Sequence, residues 1–175
     1  MRTSIYIAIS ANGMISNPGN VPDWLSEEYG KGFIKICREK RAVIMGKTTY
    51  NILAPDNLPL KDDGTTIVMT SDVEQKPADK TVVFTNQTPV EIISLLEEKG
   101  HSEAVIIGGS LTISEFFFLG LVDEVILVVE PVFFGKGLHL FRDTDFETKL
   151  NLLDVMKLNS NTIQLHYSVV KKTKT

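Results

Sequence analysis

Apolar and polar positions along this chain switch between two periods. Runs of strand length, rich in Val and Ile, fall at residues 4–10, 42–45, 66–69, 81–84, 104–107 and 123–130, with Gly, Pro, Asn or Asp marking many of the intervening turns. Helical spacing takes over between several of them. Tyr29, Phe33, Ile36 and Cys37 repeat on one face of a predicted helix over 26–40, and Glu27 and Glu28 stand where the positive helix end favours acids. Gly30 and Gly32 weaken that helix by about 1 kcal/mol each relative to alanine, unless they make room for a close neighbour. Thr88, Pro89 and Glu91 spell a capping box, and Gly100 ends the helix they start. A further helix is predicted over 111–119. Residues 12–23 and 71–80 read as turn-rich loops, and 150–158 with 162–170 as two strands joined through 159–161.

Strands separated by helices predict an α/β fold with a mostly parallel central sheet and flanking helices. The last two strands should add an antiparallel pair. The 175 residues, 43% of them hydrophobic, suit a single domain spanning 1–175. A net charge of −4 and a lone basic cluster at 171–174, read as a solvated end, predict no nucleic-acid partner. With one cysteine, Cys37, no intrachain disulfide can form, and a Cys-based metal site is not expected. His101, His139 and His166 lie far apart without ligand spacing, so no metal is expected. No signal-peptide core and no run of membrane-span length is visible; the expectation is a cytoplasmic protein with no membrane partner.

In parallel sheets ligands sit beyond the carboxyl ends of the strands. Two junctions there carry glycine: Met45-Gly46-Lys47-Thr48 and Ile107-Gly108-Gly109-Ser110. Glycine lets backbone approach a phosphate, and free amides at a helix start bind anions, so the two together suit a dinucleotide. Gly46-Lys47-Thr48-Thr49 also looks like the end of a P-loop. The first glycine of that motif would fall on Arg41, however, and the apolar strand 42–45 fills the place of the phosphate loop. No GxGxxG fingerprint is present either.

Residues 42–50, AVIMGKTTY, resemble the strand-to-helix junction of dihydrofolate reductases, and 105–110, VIIGGS, resemble that family's glycine pair. The stretches 120–125, GLVDEV, and 131–137, PVFFGKG, with Leu140 and Phe141, are similar to the reductase domain of riboflavin biosynthesis, which shares the fold. Residues 7–16 and 22–24 fit the same superfamily. The resemblance implies NADPH across the carboxyl edge of the sheet. Ala8 and Ile15 would border the nicotinamide, and Gly46, Lys47 and Thr48 would hold phosphate. Gly108, Gly109, Ser110 and Leu111 would cradle the pyrophosphate, with Thr70 and Ser71 near the adenosine. The Lys47 cation can pair with the extra ribose phosphate of NADPH; otherwise it is a solvated lysine.

The resemblance further implies that Trp24, Tyr29 and Phe33 flank a small heterocyclic substrate, although aromatics at these positions equally suit a core. The acid expected on the first helix falls at Tyr29, so Glu28 beside it becomes the catalytic candidate, with Glu130 second. Ile107 matches the folate branch, where riboflavin reductases carry an acid. Asn12-Gly13 replaces their Asp-Gly. The expected function is therefore NADPH-dependent reduction of dihydrofolate or a riboflavin-pathway aminopyrimidine. A non-catalytic nucleotide-binding module of the same fold is the alternative. Both monomers and homodimers paired through sheet edges suit the resemblance.

Overall fold

The computed structural model describes residues 1–53, 58, 60, 63–77, 79–142 and 146–171. In chain order the elements are β1 (Arg2–Ser10), β2 (Met14–Ser16), α1 (Glu27–Lys40), β3 (Ala42–Gly46), α2 (Lys47–Leu53), β4 (Thr65–Met69) and β5 (Val82–Thr85). Then follow α3 (Pro89–Glu98), β6 (Glu103–Ile106), α4 (Ser110–Phe118), β7 (Glu124–Glu130), β8 (Leu138–His139), β9 (Leu150–Lys157) and β10 (Ile163–Val169). Eight strands form one sheet in the order β5-β4-β3-β6-β1-β7-β10-β9. The first six are parallel; β10 runs antiparallel to β7, and β9 antiparallel to β10. The expected fold class is the observed one.

Burial on both faces explains why the central strands read as continuous apolar runs rather than alternations. In β1, Tyr6 and Ala8 join Tyr29, Phe33, Tyr50 and Met45 on the face covered by α1 and α2. Ile5 and Ile7 face the other way, toward Ile92 of α3 and Ile113 and Phe116 of α4. Of the two glycines in α1, only Gly32 has a packing reason: a Cβ there would lie 2.2 Å from the Tyr6 hydroxyl, whereas Gly30 has nothing within 4 Å. Cys37 is fully buried in this layer, and burial pushes its thiol up to about 12, far from the thiolate range of reactive cysteines.

One cap is the one the sequence spelled, the box at the start of α3; the other, Ser26, belongs to the helix predicted over 26–40 and caps it instead. Ser26 accepts from the Tyr29 amide at the start of α1, and Thr88 and Glu91 complete the box at the start of α3. Two elements were not anticipated, and a third, α2, was anticipated only through the strand-to-helix junction that residues 42–50 resemble. α2 is seven residues long and begins with Lys-Thr-Thr, which offers neither a cap nor an apolar stripe. β2 and β8 are two or three residues each and pair with one another across more than a hundred residues of chain, so no local period announces them.

Strand β9 is the antiparallel partner of β10 that the sequence led one to expect. All eight of its residues are exposed, including Leu150, Leu152, Leu153, Val155 and Met156, and it forms an edge of the sheet. Lys171 is tied back by hydrogen bonds to the carbonyls of Gly120 at 2.6 Å and Val122 at 2.9 Å; residues 172–174 of the basic cluster lie outside the described residues. Among the described residues, no helix is long and apolar enough to cross a membrane, and no cluster of His, Cys, Asp or Glu could hold a metal ion.

Candidate functional site

The strand order places β3 beside β6, so their carboxyl ends lie on one rim. There the Gly46 amide donates to the Gly108 carbonyl at 2.8 Å, which joins the two glycine junctions edge to edge. Crowding explains the residue type at Gly46: a Cβ would stand 2.9 Å from Thr112 Oγ1 and 3.6 Å from the Gly109 nitrogen. Gly108 has φ of +124°, a conformation open to glycine and strained for any side chain, and the Gly108–Gly109 peptide is cis.

Behind this rim opens a cleft of about 1490 Å³, larger than a single small ligand requires and roomy enough for a dinucleotide with a second ring beside it. Gly46, Lys47 and Thr48 line it from the start of α2, and Gly108, Gly109, Ser110 and Leu111 from the start of α4. Thr70 and Ser71 line it just beyond β4, and Ala8 and Ile15 near β1 and β2. Trp24, Tyr29 and Phe33 close it on the α1 side. These predicted site residues thus share one cavity, though not with equal exposure. Tyr29 and Phe33 are core residues presenting little surface. Tyr29 stacks on Tyr6 with ring centroids 5.3 Å apart, and burial raises both phenols well above their ordinary pKa. Trp24 is partly exposed and braced edge-on by Phe134 at 5.2 Å.

Glu28 is the exception. It does not line the cleft. Tyr29 and Phe33 turn toward the sheet, and one residue along a helix rotates a side chain by about 100°. Glu28 therefore swings toward the β9–β10 turn, where its Oε2 accepts from Asn159 Nδ2 at 2.9 Å. That hydrogen bond holds its carboxyl below the ordinary glutamate range, the wrong direction for a proton donor. Glu130, the second candidate, is buried at the end of an apolar strand, and it too lies outside the cleft lining. Its Oε1 accepts from the Ser26 amide at 2.9 Å and the Ser26 hydroxyl at 2.6 Å, and its Oε2 from the Thr162 hydroxyl at 2.9 Å. Its work is to fasten the start of α1 to β7 and to the residue before β10.

Helix ends and orphaned polar atoms give the rim its electrostatic character. α1 and α3 have side-chain caps, whereas α4 begins at Gly109 with none, so its first-turn amides stay open to a ligand. Two buried polar atoms at the cleft, Lys47 Nζ and Ser110 Oγ, have no hydrogen-bond partner in the protein. Lys47 is not the solvated lysine of the blander expectation. Its ammonium sits 4.6 Å from the Phe84 ring centroid and 5.3 Å from that of Tyr50. Aromatic faces offset only part of the lost hydration, so an anion is the natural missing partner. The open amides, the orphaned ammonium and hydroxyl, and the glycine cradle fit a dinucleotide phosphate.

Sequence reasoning missed part of the lining: Thr49, Ile52 and Leu53 of α2, Thr85 to Thr88, and Thr112, Glu115 and Arg142. The rule of carboxyl strand ends, applied to the β5–α3 junction as it was to the two glycine junctions, would have found Thr85 to Thr88. Nothing in the sequence signalled the rest. The three histidines stay out of the cleft; His101 meets Thr65 Oγ1 at 3.0 Å, and His166 faces Glu124 at 3.3 Å.

Comparison with known proteins agrees with this fold. The chain is 32% identical over 172 residues to the uncharacterized Bacillus subtilis protein YwjB, covering 95% of this chain and 97% of that one. Among solved structures, a Shewanella sp. PV-4 protein superposes with a TM-score of 0.84 at 21% identity, covering 98% of this chain and all of that one. A pyrimidine reductase-like protein of Corynebacterium diphtheriae gives 0.79 at 16% identity, covering 98% and 92% of the two chains. Residues 4–164 match the RibD C-terminal domain model, and the chain accordingly belongs to that family, the dihydrofolate-reductase-like reductase domain of riboflavin biosynthesis.

Proposed function

We propose that the protein is an NADPH-dependent oxidoreductase that reduces a small pterin- or pyrimidine-like ring. One observation carries the reading: the joined Gly46 and Gly108 strand ends, with the uncapped start of α4 and the unpartnered Lys47 ammonium on the same cleft. Membership of a reductase domain family supports the chemistry. Bound NADPH would supply the hydride, from C4 of its nicotinamide. The chain's part is positioning. The amides of Ser110 and Leu111 take the pyrophosphate, Lys47 with Gly46 and Thr48 holds phosphate, and Thr70 and Ser71 lie at the adenosine end. Ala8 and Ile15 border the nicotinamide, and the α1 wall with Trp24 and Phe33 receives the ring to be reduced.

Titration of the purified protein with NADPH and NADH, followed by nicotinamide fluorescence, tests the cofactor; no binding of either defeats the proposal. Lys47→Met should weaken NADPH by about tenfold or more, the loss of one charge-assisted contact, while leaving NADH nearly unchanged. Equal losses for both would remove Lys47 from the ribose phosphate. NADPH consumption with dihydrofolate and with the ribosylaminopyrimidine tests turnover. Binding without consumption across such a panel favours the non-catalytic module, for which the displacement of Glu28 is the supporting observation.

The exposed apolar edge at β9 supports a homodimer. Unpaired backbone flanked by Leu152, Leu153, Val155 and Met156 is a surface that a second copy can cover by continuing the sheet. Sedimentation should show a dimer that Val155→Lys converts to monomer; a native monomer at all concentrations would refute the pairing.

A further inference from the structure

Asn12, in the turn after β1, does not line the cleft, yet its amide is engaged at both ends. Ser10, completely buried, accepts from the Met14 amide at 2.9 Å and donates to Asn12 Oδ1 at 2.8 Å, which fixes the orientation of the Asn12 amide. Oδ1 also accepts from the Phe134 amide at 3.2 Å, and Nδ2 donates to the Phe134 carbonyl at 2.8 Å. One side chain thus takes both polar groups of a main-chain residue 122 positions away, as a neighbouring strand would. Such a clasp needs a donor and an acceptor on one planar group. Asparagine has both; ionised aspartate has only acceptors.

The segment that carries Phe134 is anchored on either side of this clasp. Before it, the Ala11 amide donates to the Val132 carbonyl at 2.8 Å. After it, β8 pairs with β2, and Gly137 passes so close that a Cβ would run into the Ser16 carbonyl. Between the anchors, Asn12 sets the Phe134 peptide and hence the direction of its ring. That ring meets Trp24 edge-on, with centroids 5.2 Å apart and planes at 87°. Trp24 lines the cleft but stands in a stretch, 17–26, without helix or strand, so its place depends on what packs against it.

We propose that Asn12 is a positioning residue for the reduction: by gripping the Phe134 main chain it holds the Phe134 ring against Trp24, and so sets the aromatic wall of the cleft from outside it. The consequence for turnover rests on the reductase reading; the clasp itself does not. Asn12→Asp isolates the clasp with almost no change of shape. The variant keeps acceptors for Ser10 and for the Phe134 amide, but a carboxylate oxygen replaces the donor that faced the Phe134 carbonyl, and two acceptors then oppose one another. The Phe134 peptide turns away and its ring leaves Trp24. Asn12 is exposed, so the fold survives the change.

Trp24 is the only tryptophan in the chain, so its emission and its quenching by acrylamide report its packing without any ligand. Asn12→Asp should shift the emission to longer wavelength and increase quenching. Phe134→Leu, which removes the bracing ring directly, should do the same. Asn12→Asp added to Phe134→Leu should then change little more, since both act through one contact. With saturating NADPH, the KM of the ring reduced, dihydrofolate or the ribosylaminopyrimidine, should rise about fivefold in Asn12→Asp, the equivalent of one net hydrogen bond. The Kd for NADPH should stay within about twofold. An unchanged Trp24 spectrum in Asn12→Asp overturns the proposal whatever happens to Tm, because a purely structural staple would move Tm alone. So does an equal further shift on top of Phe134→Leu, or a loss of NADPH affinity as large as the rise in KM. If the parent protein neither binds NADPH nor consumes it with either ring, the reductase reading falls, and the Trp24 spectra still decide whether Asn12 sets this wall.

Discussion

Valine in place of Gly46 will weaken NADPH binding by about a hundredfold or more, the largest functional effect expected of a single side chain here. The first added carbon already falls 2.9 Å from Thr112 Oγ1, inside the closest approach of real side chains, and 3.6 Å from the Gly109 nitrogen. A serviceable threonine rotamer could absorb one methyl group. Two more cannot be placed without moving the first turn of α4, whose open amides are the proposed pyrophosphate seat. Overpacking of this kind costs about 1–3 kcal/mol of stability, which a cooperative fold of this size tolerates, so binding should fail in folded protein. Gly30→Ala is the matched control. Gly30 also lines the cleft but has nothing within 4 Å of its would-be Cβ, and alanine there should stabilise α1 by about 1 kcal/mol while leaving affinity intact. Calorimetric titration of both variants decides the matter. A Gly46→Val protein that keeps NADPH affinity within about threefold would mean that the two strand ends are not the cofactor seat.

The legibility of that seat in the sequence has a physical basis. Gly46 and Gly108 each end a strand buried on both faces, so the apolar runs before them located the strand ends, and the parallel topology then put those ends on one rim. Thr88 and Glu91 were legible because a capping box is complete within four residues. Lys47 was legible as a cation at a phosphate junction, but its burial over Phe84 and Tyr50 depends on α2 and β5 meeting, which no local pattern encodes. β2 and β8 were invisible for the same reason. The placement of Glu28 was not legible, because the expected acid position fell on Tyr29 and only the phase of α1 against the sheet tells which neighbouring side chain enters the cleft. β9 was legible as a strand of the closing antiparallel pair, but its exposure was not, because whether the Leu, Val and Met residues of an edge strand are covered depends on what packs over them.

The second large effect concerns stability and falls on Glu130. Replacement by alanine should lower the unfolding free energy by about 3–5 kcal/mol, because three donors lose their acceptor at once and a buried space opens beside them. The Ser26 amide is the group that suffers most. Its hydroxyl neighbour keeps the Tyr29 amide as a donor, and the Thr162 hydroxyl can rotate, but a backbone N–H cannot redirect itself. The consequence spreads, since Ser26 caps α1 and that helix forms the inner wall of the cleft; substrate affinity should fall along with stability. Glutamine separates hydrogen bonding from shape. Its carbonyl can occupy the Oε1 position and keep both bonds from Ser26, while its NH₂ group, at the Oε2 position, donates to a Thr162 oxygen turned to accept. Glu130→Gln should therefore cost only about 1 kcal/mol. Denaturant melts with unchanged slope measure both differences. An alanine variant within about 1 kcal/mol of the parent would show that Ser26 and Thr162 find other partners, and that α1 is held in place by its apolar face alone.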